Sequence, residues 1–172
     1  MRALLSSLVQ PIQTFLFSPT LPLWRYCLLA FPLASIPSLV LLFMATTTFT
    51  LNGIDISTIQ TPARDLTLTT VILSIVIAPI IETLILGYAL TVLASTAMHV
   101  SVIALVSGLA WGIFHGLSGP LRFFGPTWGF FVMSCAYLHW RKISFRHAFL
   151  SAAIPHSLNN ALVLSIAAFL HS

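Results

Sequence analysis

Long windows without a charged residue constrain this chain most. No charged side chain occurs between Arg25 and Asp55. Between Asp65 and Arg122 the only one is Glu82. A helix needs about 20 mostly apolar residues to cross the hydrocarbon core of a bilayer, and only a backbone that satisfies its own hydrogen bonds is stable there. The windows are long enough for this, so they predict a chain that crosses a membrane several times.

The charge-free windows also place the individual crossings. The predicted fold is an all-α, integral membrane helical bundle of about five transmembrane helices. Residues 1–25 are predicted to form an N-terminal interfacial segment, residues 26–172 the membrane-embedded domain, and the polar stretch 52–66 the one real loop. The expected helices are 26–49, 68–95, 100–119, 123–140 and, after Arg146, a last one that ends near Leu170.

Composition excludes an ordinary soluble protein and a nucleic-acid partner. Hydrophobic residues make up 58% of the chain and charged residues 6%, whereas a soluble domain has about 25% charged residues. The net charge is +4, but the basic residues are scattered apart from Arg141, Lys142 and Arg146. That cluster suits the headgroup region of a bilayer. The expected partners are therefore the lipid bilayer and a membrane-associated substrate.

The distribution of Lys and Arg favours one orientation, with the N-terminus inside. It places Arg64 and Arg122 outside. Tryptophans at the predicted helix ends are expected to anchor the chain at the interface: Trp24, Trp128 and Trp140. The predicted location is a bacterial cytoplasmic membrane. The basic residues that this orientation places on the inner side are Arg2, Arg25, Arg141, Lys142 and Arg146.

Four polar residues lie inside the predicted helices. They are Glu82, His115 in "WGIFHGL", and His156 and Asn160 in "IPHSLNNAL". A charged side chain at the bilayer centre costs about 2.5–3.5 kcal/mol, so such a residue is a functional candidate by default. The spacing of four puts His156 and Asn160 on one helix face. Alone, Glu82, His156 or Asn160 also fits a structural role as an interhelical hydrogen-bonding residue. His115 alone also fits a helix-end histidine that bonds a carbonyl. Together, on three helices, they favour a shared site.

Two prolines lie beside these polar residues. Pro79 precedes Glu82 by three positions, and Pro155 immediately precedes His156. A proline inside a helix leaves the carbonyl four residues earlier unpaired and kinks the axis. In a membrane that carbonyl needs water or a neighbouring helix as its partner. The prolines therefore indicate a hydrated cavity inside the bundle.

A carboxylate, two imidazoles and an amide suffice for hydrolysis. A buried glutamate, helped by an imidazole, can take a proton from water, which then attacks an amide carbonyl. A second imidazole and an amide can donate to the oxyanion, at about 2.7–4 kcal/mol per donor. The residues alone thus suggest an enzyme that cleaves peptide bonds. A zinc site of Glu82, His115 and His156 with one open position is the rival mechanism.

These residues resemble those of the CPBP intramembrane proteases, the family of CAAX prenyl proteases and bacteriocin-processing enzymes. That family shows Glu-Glu-x-x-x-Arg, then Phe-x-x-x-His, then His-x-x-x-Asn, each on its own helix. The matches here are "ETLILG" at Glu82–Gly87, "WGIFH" at Trp111–His115 and "HSLNN" at His156–Asn160. Each motif is weak by itself, but three in order on predicted helices make a fairly specific signal. The resemblance covers roughly residues 68–165.

The resemblance implies that residues 26–172 form a CPBP-like protease domain that needs no cofactor. It implies that Glu82 and His115 activate water and that His156 and Asn160 stabilise the oxyanion.

Three positions depart from the family pattern, since Thr83 replaces the second Glu, Gly87 the Arg, and Trp111 the Phe. These departures leave open a second hypothesis, a non-catalytic immunity or binding protein on the same scaffold.

Overall fold

The computed structural model describes residues 11–12, 14–17, 20–59 and 66–170. Within these ranges the regular structure is helical throughout, so the predicted all-α membrane bundle is confirmed. A 3-10 turn at Pro120–Phe123 leads into the fourth long helix, and a short helix at Ile56–Ile59 lies in the predicted loop. The five long helices are α1 (Leu23–Leu51), α2 (Leu68–Leu93), α3 (Val100–Gly116), α4 (Phe124–Trp140) and α5 (Phe145–Leu170).

Each long helix overlaps one predicted crossing. By length and composition α1, α2 and α5 can span a membrane. Helices α3 and α4 have 17 residues each, which at 1.5 Å per residue is the lower limit for crossing the hydrocarbon core. Many of the large apolar side chains on α1 and α2 face outward, as Phe43 (71% exposed) and Leu68 (75% exposed) do. Such surfaces are stable in lipid and not in water.

Some expectations concern residues outside the described ranges. Arg2, Arg64, Asp65 and the other residues of the stretch 60–65 fall there. The division into 1–25 and 26–172 therefore stays a prediction, and so does the orientation with the N-terminus inside.

Helix α4 forms the centre of the bundle. Most of its residues after Gly129 are buried, and it packs against α1, α3 and α5. Helix α3 approaches it closely because Gly108 and Gly112 have no side chain: a Cβ at Gly108 would lie 2.6 Å from the Thr127 carbonyl oxygen. A Cβ at Gly112 would collide with the Thr127 side chain. The small residues of α3 therefore set the distance between the two helices.

The predicted anchoring role was wrong for one of the three tryptophans, Trp140. Trp24 is 60% exposed and lies beside the Arg25 guanidinium, as an interfacial residue should. Trp140, however, is 5% exposed. Trp128 donates from its indole nitrogen to the Leu33 carbonyl at 2.8 Å. Sequence position at a helix end did not reveal that the Trp140 ring is buried inside the bundle.

Candidate active site

Three of the four predicted polar residues converge in the bundle. Glu82 comes from α2, His115 from α3 and His156 from α5. The Nε2 atoms of His115 and His156 lie 3.8 Å and 3.6 Å from the same carboxylate oxygen, Glu82 Oε2. The structure thus brings one acid and two rings from three helices to a single point, as the sequence predicted.

These separations exceed direct hydrogen-bond length but lie within the reach of a bridging water. Three buried polar atoms here have no hydrogen-bond partner among the described residues: Glu82 Oε2, His156 Nδ1 and Thr83 Oγ1. Buried polar groups are normally satisfied by protein or water. The grouping of unsatisfied atoms therefore suits a site that works with water or with a polar group of a substrate.

The orientation of His115 is fixed by its own helix. Its Nδ1 lies 2.9 Å from the Trp111 carbonyl oxygen, one turn earlier. A carbonyl only accepts hydrogen bonds, so Nδ1 carries the proton and Nε2 of the neutral ring presents a lone pair to Glu82. An ionised carboxylate and this lone pair would repel each other. A proton, or a water that donates to both atoms, is therefore needed between them.

The side chains of the site differ in their exposure to solvent. The His156 side chain is 5% exposed, Glu82 23% and His115 27%. The site therefore has a closed side at α5 and an accessible side where α2 and α3 meet. Apolar neighbours on that side, Ile81 and Phe114, are 51% and 63% exposed. A molecule that reaches Glu82 would pass such side chains.

The backbone of α2 is irregular just before Glu82. Residues Leu73–Ile77 form a π-helical segment, in which the Ala78 N–H donates to the Leu73 carbonyl five residues earlier. In this register the next residue, Pro79, would pair with the Ser74 carbonyl, but proline has no N–H. Short π segments are frequent at functional sites. The Ser74 carbonyl is thus left for a partner on another helix.

Asn160 is that partner. Its Nδ2 donates to the Ser74 carbonyl oxygen at 2.8 Å. The expectation that a proline-freed carbonyl pairs with a neighbouring helix is confirmed here. The expected position of that carbonyl, four residues before the proline, was wrong, because the π-helical register moves it to five. Its neighbour Asn159 accepts from Ser35 Oγ of α1 at 2.9 Å. The two asparagines therefore connect α5 to both α2 and α1.

An aromatic residue that the sequence did not single out orders both imidazoles. The Phe130 ring of α4 lies 5.1 Å from His156 and 5.7 Å from His115, centroid to centroid. It also stacks on Trp111 at 4.4 Å, with an interplanar angle of 5°. Phe130 is 3% exposed. Nothing in the local pattern of α4 distinguishes it from the other buried apolar residues of that helix.

The departures from the motif have local structural consequences. Thr83 is buried, whereas Gly87 lies against Tyr137 of α4, whose hydroxyl oxygen would be 2.5 Å from a Cβ at that position. The Gly87 carbonyl accepts from Thr91 Oγ1. Arg141 in turn donates to Thr91 Oγ1 at 2.6 Å. Tyr137 therefore packs where any side chain at position 87 would begin.

The convergence of Glu82, His115 and His156 raises the question of whether they could bind zinc. In the part of the chain that the structure describes, no group of three or more His, Cys, Asp or Glu side chains is arranged to hold a metal ion.

Comparison with known proteins gives one match. A family model described as Rce1-like, type II CAAX prenyl endopeptidase Rce1-like, matches residues 64–162. This range contains Glu82, His115, His156 and Asn160. No curated protein and no solved structure matches the chain.

Proposed function

Because the chain belongs to the Rce1-like family of type II CAAX prenyl endopeptidases, we propose that it hydrolyses a peptide bond in a membrane-associated protein or peptide. The family consists of proteases, and the resemblance to CPBP proteases is thereby confirmed. The observation that carries the proposal for this chain is the approach of two imidazole nitrogens, at 3.8 Å and 3.6 Å, to one oxygen of Glu82.

In the proposed reaction Glu82 and His115 activate a water molecule. The water donates one proton to the Glu82 carboxylate while its oxygen attacks the peptide carbonyl carbon, and the C=O bond becomes a single bond to an oxyanion. His115 Nε2, held by the Trp111 carbonyl on the other ring nitrogen, accepts a hydrogen bond from the same water. Glu82 then returns its proton to the leaving nitrogen as the C–N bond breaks, which regenerates the carboxylate.

His156 and Asn160 are proposed to stabilise the oxyanion. His156 Nε2 lies 3.6 Å from Glu82 Oε2, close enough to a carbonyl placed for attack. An Asn amide carries two N–H donors. One is engaged with the Ser74 carbonyl, so the other is available to the oxyanion. Each such donor contributes about 2.7–4 kcal/mol in comparable sites.

A membrane-associated substrate is supported by the surroundings of the site. Glu82 and His115, whose side chains are 23% and 27% exposed, are flanked by exposed apolar residues of α2 and α3. A substrate that carries an apolar group can approach along this surface without leaving the bilayer. We therefore propose that the chain is an integral membrane protein that acts on a substrate held in the same membrane. The proposed location is a bacterial cytoplasmic membrane.

Glu82→Gln tests the proposal. The purified protein is reconstituted in liposomes with a fluorogenic peptide that ends in a farnesylated CAAX sequence, and with the same peptide without the lipid. We expect Glu82→Gln to reduce cleavage at least about a hundredfold, because general base catalysis contributes 10²–10⁴-fold. The matched control is Asp55→Asn, which removes an exposed carboxylate in the loop after α1. Equal activity of Glu82→Gln and the wild type would refute the catalytic assignment.

The second candidate function is a non-catalytic immunity or binding protein on the same scaffold. It is favoured by the replacement of the second Glu and the Arg of the motif by Thr83 and Gly87. Under this hypothesis Glu82→Gln and His156→Ala leave protection or partner binding intact. Loss of peptide cleavage in both variants, with correctly folded protein, distinguishes the protease from the binding protein.

A further inference from the structure

A second candidate site lies at the end of the bundle where α1 and α5 begin. A cavity of about 300 Å³ opens there, lined by Leu23, Arg146, His147 and Leu150. Two lining residues are apolar, one is a cation and one is an imidazole. This combination differs from the Glu82 site, which holds an acid, and it lies at a helix end and not inside the bundle.

The orientation of the His147 ring is fixed by two contacts. Ser144 Oγ accepts from the His147 backbone N–H at 3.2 Å and lies 2.7 Å from the ring Nδ1. This second contact engages Nδ1, so Nε2 is the ring nitrogen that is left for a ligand. The ring stacks on Trp140 with an interplanar angle of 6°. The cavity therefore has a guanidinium, which donates, and an imidazole of fixed orientation.

The charges at this end are positive. Arg25, Arg141 and Lys142 lie at the same end as Arg146, because α1 begins, α4 ends and α5 begins here. Of the acidic residues in the described ranges, Asp55 follows the opposite end of α1 and Glu82 lies within α2. Both described ion pairs involve Glu82. No described carboxylate therefore balances the charge of Arg146.

The position corresponds to the headgroup depth of a bilayer. Trp24, Ile143 and Phe145 around it are about 60% exposed, and Trp at such a depth is typical of the membrane interface. Leu23 and Leu150 provide an apolar wall next to the donors. A ligand with a negatively charged phosphate and an attached hydrocarbon satisfies both parts of the lining.

We propose that this cavity binds the phosphate group of an anionic phospholipid. Arg146 provides a charge-assisted hydrogen bond to the phosphate oxygens, and His147 provides a second donor. Leu23 and Leu150 contact the glycerol and the first methylene groups. The site is independent of the Glu82 site, so the two proposals can fail separately.

Two variants with the same change of charge test the cavity. Arg146→Gln and Lys142→Gln each remove one positive charge from the same cluster, but only Arg146 lines the cavity. Binding of phosphatidylglycerol to the full chain in micelles is titrated by native mass spectrometry. A surface charge near anionic lipid is worth about fivefold in affinity, which we expect for Lys142→Gln. We expect Arg146→Gln to weaken binding by roughly tenfold or more, since a charge-assisted hydrogen bond is lost as well.

A third variant changes the cavity without changing charge. Leu150→Phe partly fills the space between α1 and α5, and we expect it to reduce binding of phosphatidylglycerol while nonspecific attraction stays constant. Thermal unfolding in phosphatidylcholine alone verifies that each variant is folded. Equal losses for Arg146→Gln and Lys142→Gln, with no effect of Leu150→Phe, would show a diffuse electrostatic attraction and overturn the proposal.

A further experiment distinguishes a lipid ligand of the cavity from free phosphate. Inorganic phosphate is added to the protein in phosphatidylcholine nanodiscs, and the unfolding temperature is compared with that in nanodiscs containing phosphatidylglycerol. We expect stabilisation by phosphatidylglycerol that depends on Arg146, and little by inorganic phosphate. Stabilisation by inorganic phosphate alone, lost in Arg146→Gln, would assign the cavity to a soluble anion and refute the lipid.

Discussion

At the scale of single residues, proline determines where side chains of neighbouring helices must bond. Pro79 deprives the Ser74 carbonyl of a backbone partner, and Asn160 supplies one. In α1, Pro37 lies four residues after Leu33, whose carbonyl accepts from Trp128 instead. In a bilayer an unpaired carbonyl costs several kcal/mol, because no water is present to replace the lost hydrogen bond. The carbonyls left unpaired by these two prolines thus bond a polar side chain on another helix.

The pairing of Asn160 with Ser74 can be measured by a double-mutant cycle. Asn160→Ala leaves the Ser74 carbonyl without its partner, and we expect a loss of about 1–3 kcal/mol in the free energy of unfolding. Pro79→Ala supplies an N–H in the segment where that carbonyl lies. The loss caused by Asn160→Ala should therefore be smaller in the Pro79→Ala background. The free energy of unfolding in micelles is measured for the wild type, the two single variants and the double variant.

The control for this cycle uses a proline that Asn160 does not serve. Pro37→Ala changes α1, so the loss from Asn160→Ala should be the same with and without it. If Pro79→Ala and Pro37→Ala gave equal results, the hydrogen bond to Ser74 would have no part in the stability effect of Asn160.

At the scale of helices, close approach depends on the absence of side chains at chosen positions. Helix α2 packs on α4 at Gly87, which faces Tyr137, and α3 packs on α4 at Gly108 and Gly112. Helix α4 in turn positions Phe130 in contact with both imidazoles. The distances between helices therefore fix where the histidines lie relative to Glu82, and packing and chemistry are coupled through α4.

Gly87→Ala should destabilise the protein, although alanine is the better helix former. The added Cβ would lie 2.5–2.8 Å from atoms of the Tyr137 ring, and overpacking of this kind costs about 1–3 kcal/mol. The matched control is Gly129→Ala, whose Cβ would have its nearest neighbour, Ser38 Oγ, at 3.7 Å. Thermal unfolding should show a lower midpoint for Gly87→Ala and an unchanged or higher one for Gly129→Ala. A similar response of both variants would contradict the close contact.

At the scale of the whole molecule, the bundle holds an acid and two rings where lipid surrounds the protein. The exposed apolar surface of α1 and α2 and the scarcity of charge require a bilayer. Inside it, the polar atoms near Glu82 are shielded from solvent on the α5 side and accessible between α2 and α3. An architecture of this kind permits hydrolysis within a membrane because water needs to reach only one small region.

Metal removal separates the proposed glutamate mechanism from its zinc rival. The reconstituted protein is treated with a strong chelator, its metal content is measured, and peptide cleavage is compared before and after. We expect activity to persist, since the proposed mechanism needs only Glu82 and His115 to activate water. If cleavage disappeared and returned on addition of zinc, Glu82, His115 and His156 would be metal ligands and the glutamate–water mechanism would be wrong.

The amino-acid sequence determined the class of fold and the identity of the polar residues that converge. Charge-free windows predicted five helices, because hydrocarbon excludes charge over a length that the backbone geometry fixes. The cost of burying charge singled out Glu82, His115 and His156. These inferences use local properties of the chain, so one sequence sufficed for them.

The tertiary structure decided which groups bond to one another. The role of Asn160 at the Ser74 carbonyl depends on a π-helical register in α2 that no local pattern specifies. The contact of Phe130 with both imidazoles, and the burial of Trp140, depend on the rotation of α4 against its neighbours. Those rotations follow from the packing of all five helices together, because a helix buried on several sides carries little periodicity to indicate which face meets which partner.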